Sequence, residues 1–440
     1  MILTAPNRRV VITGLGVISP LGNTPEALWS SLAAGRSGVG SITLLPSDQQ
    51  PLKYGAEARD FTGEIEDFGP LDKERKKAIK KGLKVMCRET RMAVAAAQLA
   101  LADAGFAETP LDSDSSGVVL GSDYMLTMPE DYEASMRSCA PGGEFSFDRW
   151  GKIGMAEMAP LWMLKYLPNM PASHIAIYND MRGPNNSLTM REAASNLAVG
   201  EAFRTIQRGH AKLMVAGATG TRILPMQAIH ALQTEQMAAE NVDPTKASRP
   251  FDKHRTGMVA GEGAGMVVLE ELSAAQARGA TIYAEVVGLG SANVADLRNM
   301  RGKCDVALER AMRAALRGAG RLPEDIDHVN AHGLSTTRCD AEEARALCAV
   351  FGDRIRSLPV IAPKSYFGNL GAGGGVVELI CSILALRAGR LPRVLNYQTP
   401  DPECPLAIVQ DESTPPGRCF LNLNVTPQGQ AAVLCVAALE

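Results

Sequence analysis

A duplicated α/β fold is the class that this sequence predicts, on three observations. The pattern Ala100-Leu101-x-x-Ala104-Gly105 recurs as Ala315-Leu316-x-x-Ala319-Gly320, displaced by 215 residues, about half of the 440-residue chain. Each copy closes an Ala-rich helical stretch and precedes a short apolar β-branched run, at 118–120 and at 326–330. The composition, 46% hydrophobic but only 5% aromatic with 42 glycines, suits helices and strands in close contact. A chain of this length exceeds the usual limit of one core. Two halves are expected, 1–270 and 271–440, joined near 265–280. The alternation of strand and helix argues for largely parallel sheets covered by helices.

Residues 9–13 form an apolar run ending in Gly14-Leu15-Gly16, a strand and tight turn, echoed by Val286-Val287-Gly288-Leu289-Gly290. A dinucleotide site is excluded here: Ser19 stands at the third glycine position, and no acidic residue follows a second strand about 20 residues on. Thr24 as N-cap and Pro25 at the first helical position predict a helix over 25–32. Residues 73–91 carry nine basic and two acidic side chains at helical spacing and run into Met92-Ala93-Val94-Ala95 without a break. Lys76, Lys77, Lys80, Lys81 and Lys84 are either a solvated helix face or a docking patch for an acidic protein. Within the first half, about 124–167 reads as an insertion rich in Met and aromatics, among them Phe145, Phe147, Trp150 and Trp162. It serves as plain core, as pocket lining or as a subunit interface.

Gly183-Pro184-Asn185-Asn186 is turn chemistry, and from Ala193 small residues predict a closely packed helix. Glu192 stands at that helix entrance, where unpaired backbone N–H groups and the dipole favour an anion. Gly261-Glu262-Gly263-Ala264-Gly265 leads into a strand over 266–270 and lacks the GK[ST] of a phosphate loop, so close backbone packing accounts for it. His332 directly follows the strand at 326–330, where α/β folds place functional groups.

Net charge is 45 − 48, or −3, with nothing that suggests nucleic acid. Nine scattered cysteines without a CxxC pair read as reduced thiols in a cytoplasmic protein, with no metal site. The first residues lack a charged-then-apolar signal segment, and no apolar run reaches the ~20 residues of a membrane span.

Several of these stretches together resemble the β-ketoacyl-acyl-carrier-protein synthases of the KAS II type. Leu167 to Ile175 followed by Arg182-Gly183-Pro184-Asn185 is similar to the approach to that family's active site. Counting on from Ser187, the nucleophilic Cys falls on Glu192. Asn330-Ala331-His332-Gly333-Leu334-Ser335-Thr336 resembles the His-Gly-Thr-Ser-Thr motif, with Asp340 retained, and keeps the first catalytic His. Lys364-Ser365-Tyr366-Phe367-Gly368-Asn369-Leu370 resembles the Lys-Ser-x-x-Gly-His-Leu motif, with Asn369 in place of the second His and Lys364 and Glu378 matching. Val425-Thr426-Pro427-Gln428-Gly429-Gln430 stands where the family has Gly-Phe-Gly-Gly-Thr-Asn, so Thr426 would offer the oxyanion-hole N–H. The 249–265 stretch matches a further signature through Glu262.

The resemblance implies a thiolase-like fold, two duplicated halves in a five-layered α-β-α-β-α core, and dimers formed across a sheet edge. It implies acyltransferase chemistry in fatty acid or polyketide biosynthesis, no bound cofactor, and phosphopantetheine delivered on acyl carrier protein. Glu192, His332, Asn369 and Lys364 would form the catalytic constellation, with Thr426, Glu378, Ser335 and Thr336 beside it. Without a thiol, three readings stay open. The chain is a chain-length-factor-like partner of a Cys-containing ketosynthase, as homodimer or heterodimer. It is an enzyme that decarboxylates or hydrolyses carrier-bound thioesters with Glu192 and His332. Or it binds acyl groups or the carrier without turnover.

Overall fold

The computed structural model describes residues 8–439 except 45, 47–49, 108, 297 and 299–300. The first half supplies β1 (Val10–Ile18), β2 (Ser116–Ser122), β3 (Asn185–Thr189), β4 (Leu213–Thr221) and β5 (Glu262–Glu271). The second supplies β6 (Ala284–Asn293), β7 (His328–Asn330), β8 (Pro359–Ile361), β9 (Ala407–Ile408), β10 (Cys419–Val425) and β11 (Gln430–Ala437). Hydrogen bonding orders them β9-β8-β7-β10-β11-β6-β1-β5-β4-β2-β3. Within β3-β2-β4-β5-β1 two parallel pairings are followed by two antiparallel ones. The series β8-β7-β10-β11-β6 repeats that order. The duplication is therefore visible in topology as well as in sequence. Within the sheet the halves meet where β1 pairs with β6, over Val10↔Val286, Val11↔Glu285 and Ile12↔Ala284. The expectation of largely parallel sheets is corrected: half of the pairings are antiparallel, because strands such as β10 and β11 return through a tight hairpin rather than a helical crossover.

Helix α1 (Pro25–Ala33) starts as its cap predicts, the Thr24 hydroxyl accepting from the Ala27 N–H. Helices α2 (Lys73–Gly82), α3 (Arg88–Asp103) and α4 (Met170–Tyr178) belong to the first half, together with α5 (Ala194–Gln207) and α6 (Pro225–Thr234). The second half contributes α7 (Cys304–Ala319), α8 (Thr337–Phe351) and α9 (Gly374–Ala388). Strands of both halves contact α5 and α9, while α3 covers the first half and α7 the second. The result is the five-layered α-β-α-β-α order. The central position explains the composition of α9: the segment Gly371–Ala388 is long and apolar enough to span a membrane, but 78% of it is buried inside the protein. A helix enclosed between two sheets has no polar face to present.

The recurring glycines have a steric cause. A Cβ on Gly14 or Gly16 of β1 would lie 2.3 Å from the Ala100 carbonyl oxygen or 1.9 Å from that of Ala96, both on α3. On Gly288 and Gly290 of β6 the distances are 2.5 Å to Ala315 and 1.9 Å to Ala311, both on α7. The Gly-Leu-Gly echo and the Ala-rich echo are thus two sides of one contact.

Three local expectations change. Asn185 and Asn186 open β3 rather than a turn, because the Pro184 carbonyl already pairs with the Val118 N–H of β2. The basic stretch breaks: α2 ends at Gly82, where a Cβ would lie 1.8 Å from the Tyr178 hydroxyl, and the extended Met86 and Cys87 precede α3. Lys76, Lys77, Lys80, Lys81 and Lys84 remain exposed, but Arg88 turns inward to Glu262 at 2.6 Å. The insertion is a string of short helical turns that leaves Phe145, Phe147, Met155, Leu161 and Met163 exposed, Phe147 by 77%.

Gly290→Ala is expected to lower unfolding stability by roughly 2 kcal/mol or more, because strand and helix backbones must separate. Chemical denaturation monitored by circular dichroism measures it.

Candidate functional site

The C-terminal ends of β2, β3, β4 and β7 deliver charged or ionisable side chains to one buried place. Asp123 follows β2, Glu192 lies just beyond β3, Arg222 follows β4 and His332 follows β7. The segment joining β3 to α5 is a 3-10 turn, Arg191–Ala193, entered with Arg191 at φ 49°. That left-handed residue aims the Arg191 side chain away from the helix and Glu192 into the interior.

Glu192 is 2% exposed, and its partners are side chains rather than the free backbone N–H groups that its place before α5 suggested. Arg222 donates through Nη2 to Oε1 at 2.7 Å, and Asn369 donates through Nδ2 to the same oxygen at 3.1 Å. Arg191 Nε lies 3.5 Å from Oε2. Burial opposes ionisation of this carboxyl, but Arg191, Arg222 and the Asn369 amide outweigh it and hold the group well below the usual carboxylate range. Arg222, 1% exposed, is shared: the same Nη2 donates to Asp123 Oδ2 at 2.9 Å, and Nη1 lies 3.4 Å from the Tyr124 hydroxyl. Burial pushes the Asp123 carboxyl up, against the pull of Arg222. Arg191 is anchored by Glu235 and by Gln428 Oε1 at 3.1 Å.

A second constellation lies alongside. Lys364 Nζ contacts Glu378, the His332 carbonyl at 2.8 Å and His332 Nδ1 at 3.3 Å. Glu378 is completed by Asn424 Nδ2 at 3.0 Å, and burial raises its pKa against Lys364. His332 is neutral: burial and the Lys364 charge hold its pKa well below 6.5, while Glu192 pulls the other way. With Nδ1 accepting from an ammonium, the ring proton belongs on Nε2, which has no hydrogen-bond partner among the described residues.

The structure thus brings together Glu192, His332, Asn369, Lys364 and Glu378. The other expected neighbours are engaged elsewhere. The Ser335 hydroxyl accepts from the Arg249 N–H, and Thr336 caps α8 through Cys339. Thr426 is the clearest correction, since its N–H donates to the Gln430 carbonyl at 2.9 Å inside the β10–β11 hairpin. That pairing removes it as an oxyanion donor. Sequence reasoning missed Asp123 and Arg222, although the rule that singled out His332, an ionisable residue directly after an apolar strand, applies equally to both.

The thioether of Met258 accepts from Asn369 at 3.4 Å and lines a cavity of about 60 Å³ with Tyr54, Leu232 and Met237. This is far below the ~300 Å³ at the lower end of small-molecule sites.

Comparison with known proteins agrees along the chain. The model for the N-terminal domain of β-ketoacyl synthases matches residues 7–275, and that for the C-terminal domain matches 283–398. The chain is 35% identical over 412 residues to a 3-oxoacyl-acyl-carrier-protein synthase 2 of Synechocystis sp., covering 92% of each. It is similar to a solved structure of the ishigamide ketosynthase/chain length factor, with TM-score 0.82 and 28% identity over 99% of this chain and all of that one. A type II polyketide synthase structure, of an acyl-carrier protein in complex with its ketosynthase, gives TM-score 0.81 and 25% identity over 99% of this chain and 100% of that one.

Arg222→Met strands two buried carboxylates and is expected to destabilise by about 3–5 kcal/mol in denaturant titration. Because the Glu192 pKa is depressed in the folded state, its stabilisation is complete above the ordinary value of 4.5 and is lost as pH falls below it. Glu192→Gln should therefore flatten the stability-versus-pH curve below about pH 4.5.

Proposed function

The chain belongs to the β-ketoacyl synthase family, and from that membership we propose that it is a non-condensing subunit, similar to chain-length factors, that pairs with a Cys-bearing ketosynthase. The observation that carries this reading is the ionised carboxylate of Glu192, fixed between Arg191, Arg222 and Asn369 where the resemblance puts the nucleophile. Condensation needs a thiolate because it is a strong nucleophile whose thioester stays reactive. A carboxylate paired with two guanidiniums is a poor nucleophile, and its acyl adduct would be a mixed anhydride. The Thr426 N–H, committed to its hairpin, gives no support to a tetrahedral oxyanion.

The same ion pairs argue against altered chemistry with Glu192 as general base, since a carboxylate with so depressed a pKa takes up protons weakly. His332 Nε2 remains a competent donor to a carbonyl oxygen, which favours binding of a carrier-borne thioester without turnover as the second reading. For assembly, β3 is the last strand of the sheet among the described residues, and the insertion exposes Phe145, Phe147 and Leu161. This is the surface on which a second ketosynthase-fold subunit would sit. The α2 lysines suit an acidic carrier protein, phosphopantetheine arrives on that carrier, and we place the protein in the cytosol.

Incubated with malonyl- and acyl-carrier proteins, the chain should leave both masses unchanged in intact-protein mass spectrometry. Mixed with the Cys-bearing ketosynthase of its own source, it should give a heterodimer in size-exclusion chromatography with light scattering. An acyl adduct on the chain, or a carrier that loses its acyl group or carbon dioxide, would sink this reading.

A further inference from the structure

We propose that Arg191, Arg222 and Asn369 form a carboxylate-binding site that the chain fills in cis with its own Glu192. The inference is independent of the partner-subunit reading.

Two hydrogen-bond donors and one further cation converge on the Glu192 carboxylate: Arg222 Nη2 at 2.7 Å, Asn369 Nδ2 at 3.1 Å and, as an ion pair, Arg191 Nε 3.5 Å from Oε2. Each is held in place by groups other than Glu192. Arg222 is fixed by Asp123 at 2.9 Å, with Tyr124 3.4 Å from its other terminal nitrogen. Arg191 is fixed by Glu235 and Gln428. Asn369 accepts the Gly371 N–H at 3.0 Å, and its backbone N–H donates to the Val259 carbonyl at 2.8 Å. The cradle is therefore preorganised and persists when the Glu192 side chain is shortened. The surroundings are richer in donors than in acceptors. Arg222 Nε and His332 Nε2, on side chains each 1% exposed, are buried without a hydrogen-bond partner among the described residues. Glu192 Oε2 is the matching acceptor without a hydrogen bond.

The vacated space and the donors around it fix the ligand class. Without Glu192, Asp123 and Glu235 balance the two guanidiniums, and one added monoanion restores the native charge. Truncation at Cβ removes a CH₂–COO fragment, which has the size of acetate. The ligand is thus a short monocarboxylate such as formate or acetate, planar enough to accept from a guanidinium and an amide together.

The test compares thermal unfolding of native protein, E192A and E192A/R222M in sodium acetate and in sodium chloride of equal ionic strength. Acetate should raise the E192A midpoint by roughly 1–3 °C beyond any shift of the native protein, and the double variant should lose that excess. Equal shifts in all three proteins would overturn the proposal. If E192A does not fold in chloride, its recovery after refolding in acetate and in chloride becomes the readout. Recovery in acetate alone supports the site, and equal failure in both overturns it.

Discussion

Arg222 is the residue on which the interior of this protein depends. An ionised carboxylate at the centre of an α/β core loses several kcal/mol of hydration. One contact at an effective dielectric constant near 20 returns only about 4 kcal/mol at 4 Å. Glu192 therefore needs more than one partner, and it has two guanidiniums and an amide. Arg222 in turn tolerates complete burial because Asp123 faces it from the end of β2. Removing Arg222 takes the shared cation from two buried carboxylates at once, whereas without Glu192 Arg222 still has Asp123 and Arg191 still has Glu235.

The scaffold makes that meeting possible. Parallel strands present their C-terminal ends on one side, and the two halves bring β2, β3 and β4 opposite β7 around α5 and α9. The close approach of β1 to α3 and of β6 to α7 depends on glycines that leave no room for a Cβ. Lys364, Glu378 and His332 keep a connected arrangement, with His332 neutral and its Nε2 without a hydrogen-bond partner among the described residues. Facing them stands the fixed carboxylate of Glu192.

Much of this was legible residue by residue. The Thr24 cap and the strand before Gly14 rest on local sterics and hydrogen bonding, which neighbouring residues set, and the echo of Ala100-Leu101 in Ala315-Leu316 is a repeat that can be read directly from consecutive residues. The misreadings share a different cause. Asn185-Asn186 has turn chemistry, yet β2 lies close enough to claim the backbone. The lysine-rich run has helical spacing throughout, yet the chain turns extended at Met86 and Cys87, and Gly82 is packed against the Tyr178 hydroxyl with no room for a Cβ. Thr426 has an N–H to offer, yet Gln430 on the facing strand takes it. In each case a residue distant in the chain or across a hairpin overrode a sound local preference.

The sequence by itself determined the family, the duplication and the motif-like stretches that hold Glu192, His332, Asn369 and Lys364, because motifs and repeats are written in consecutive residues. Tertiary structure alone decided the state of Glu192. Whether it is a protonated acid, a base or one arm of a fixed ion pair depends on Arg222 and Asp123, 30 and 69 residues away in the chain. The pKa of a buried group is set by the charges that folding brings within a few ångströms, and linear order carries no record of that distance.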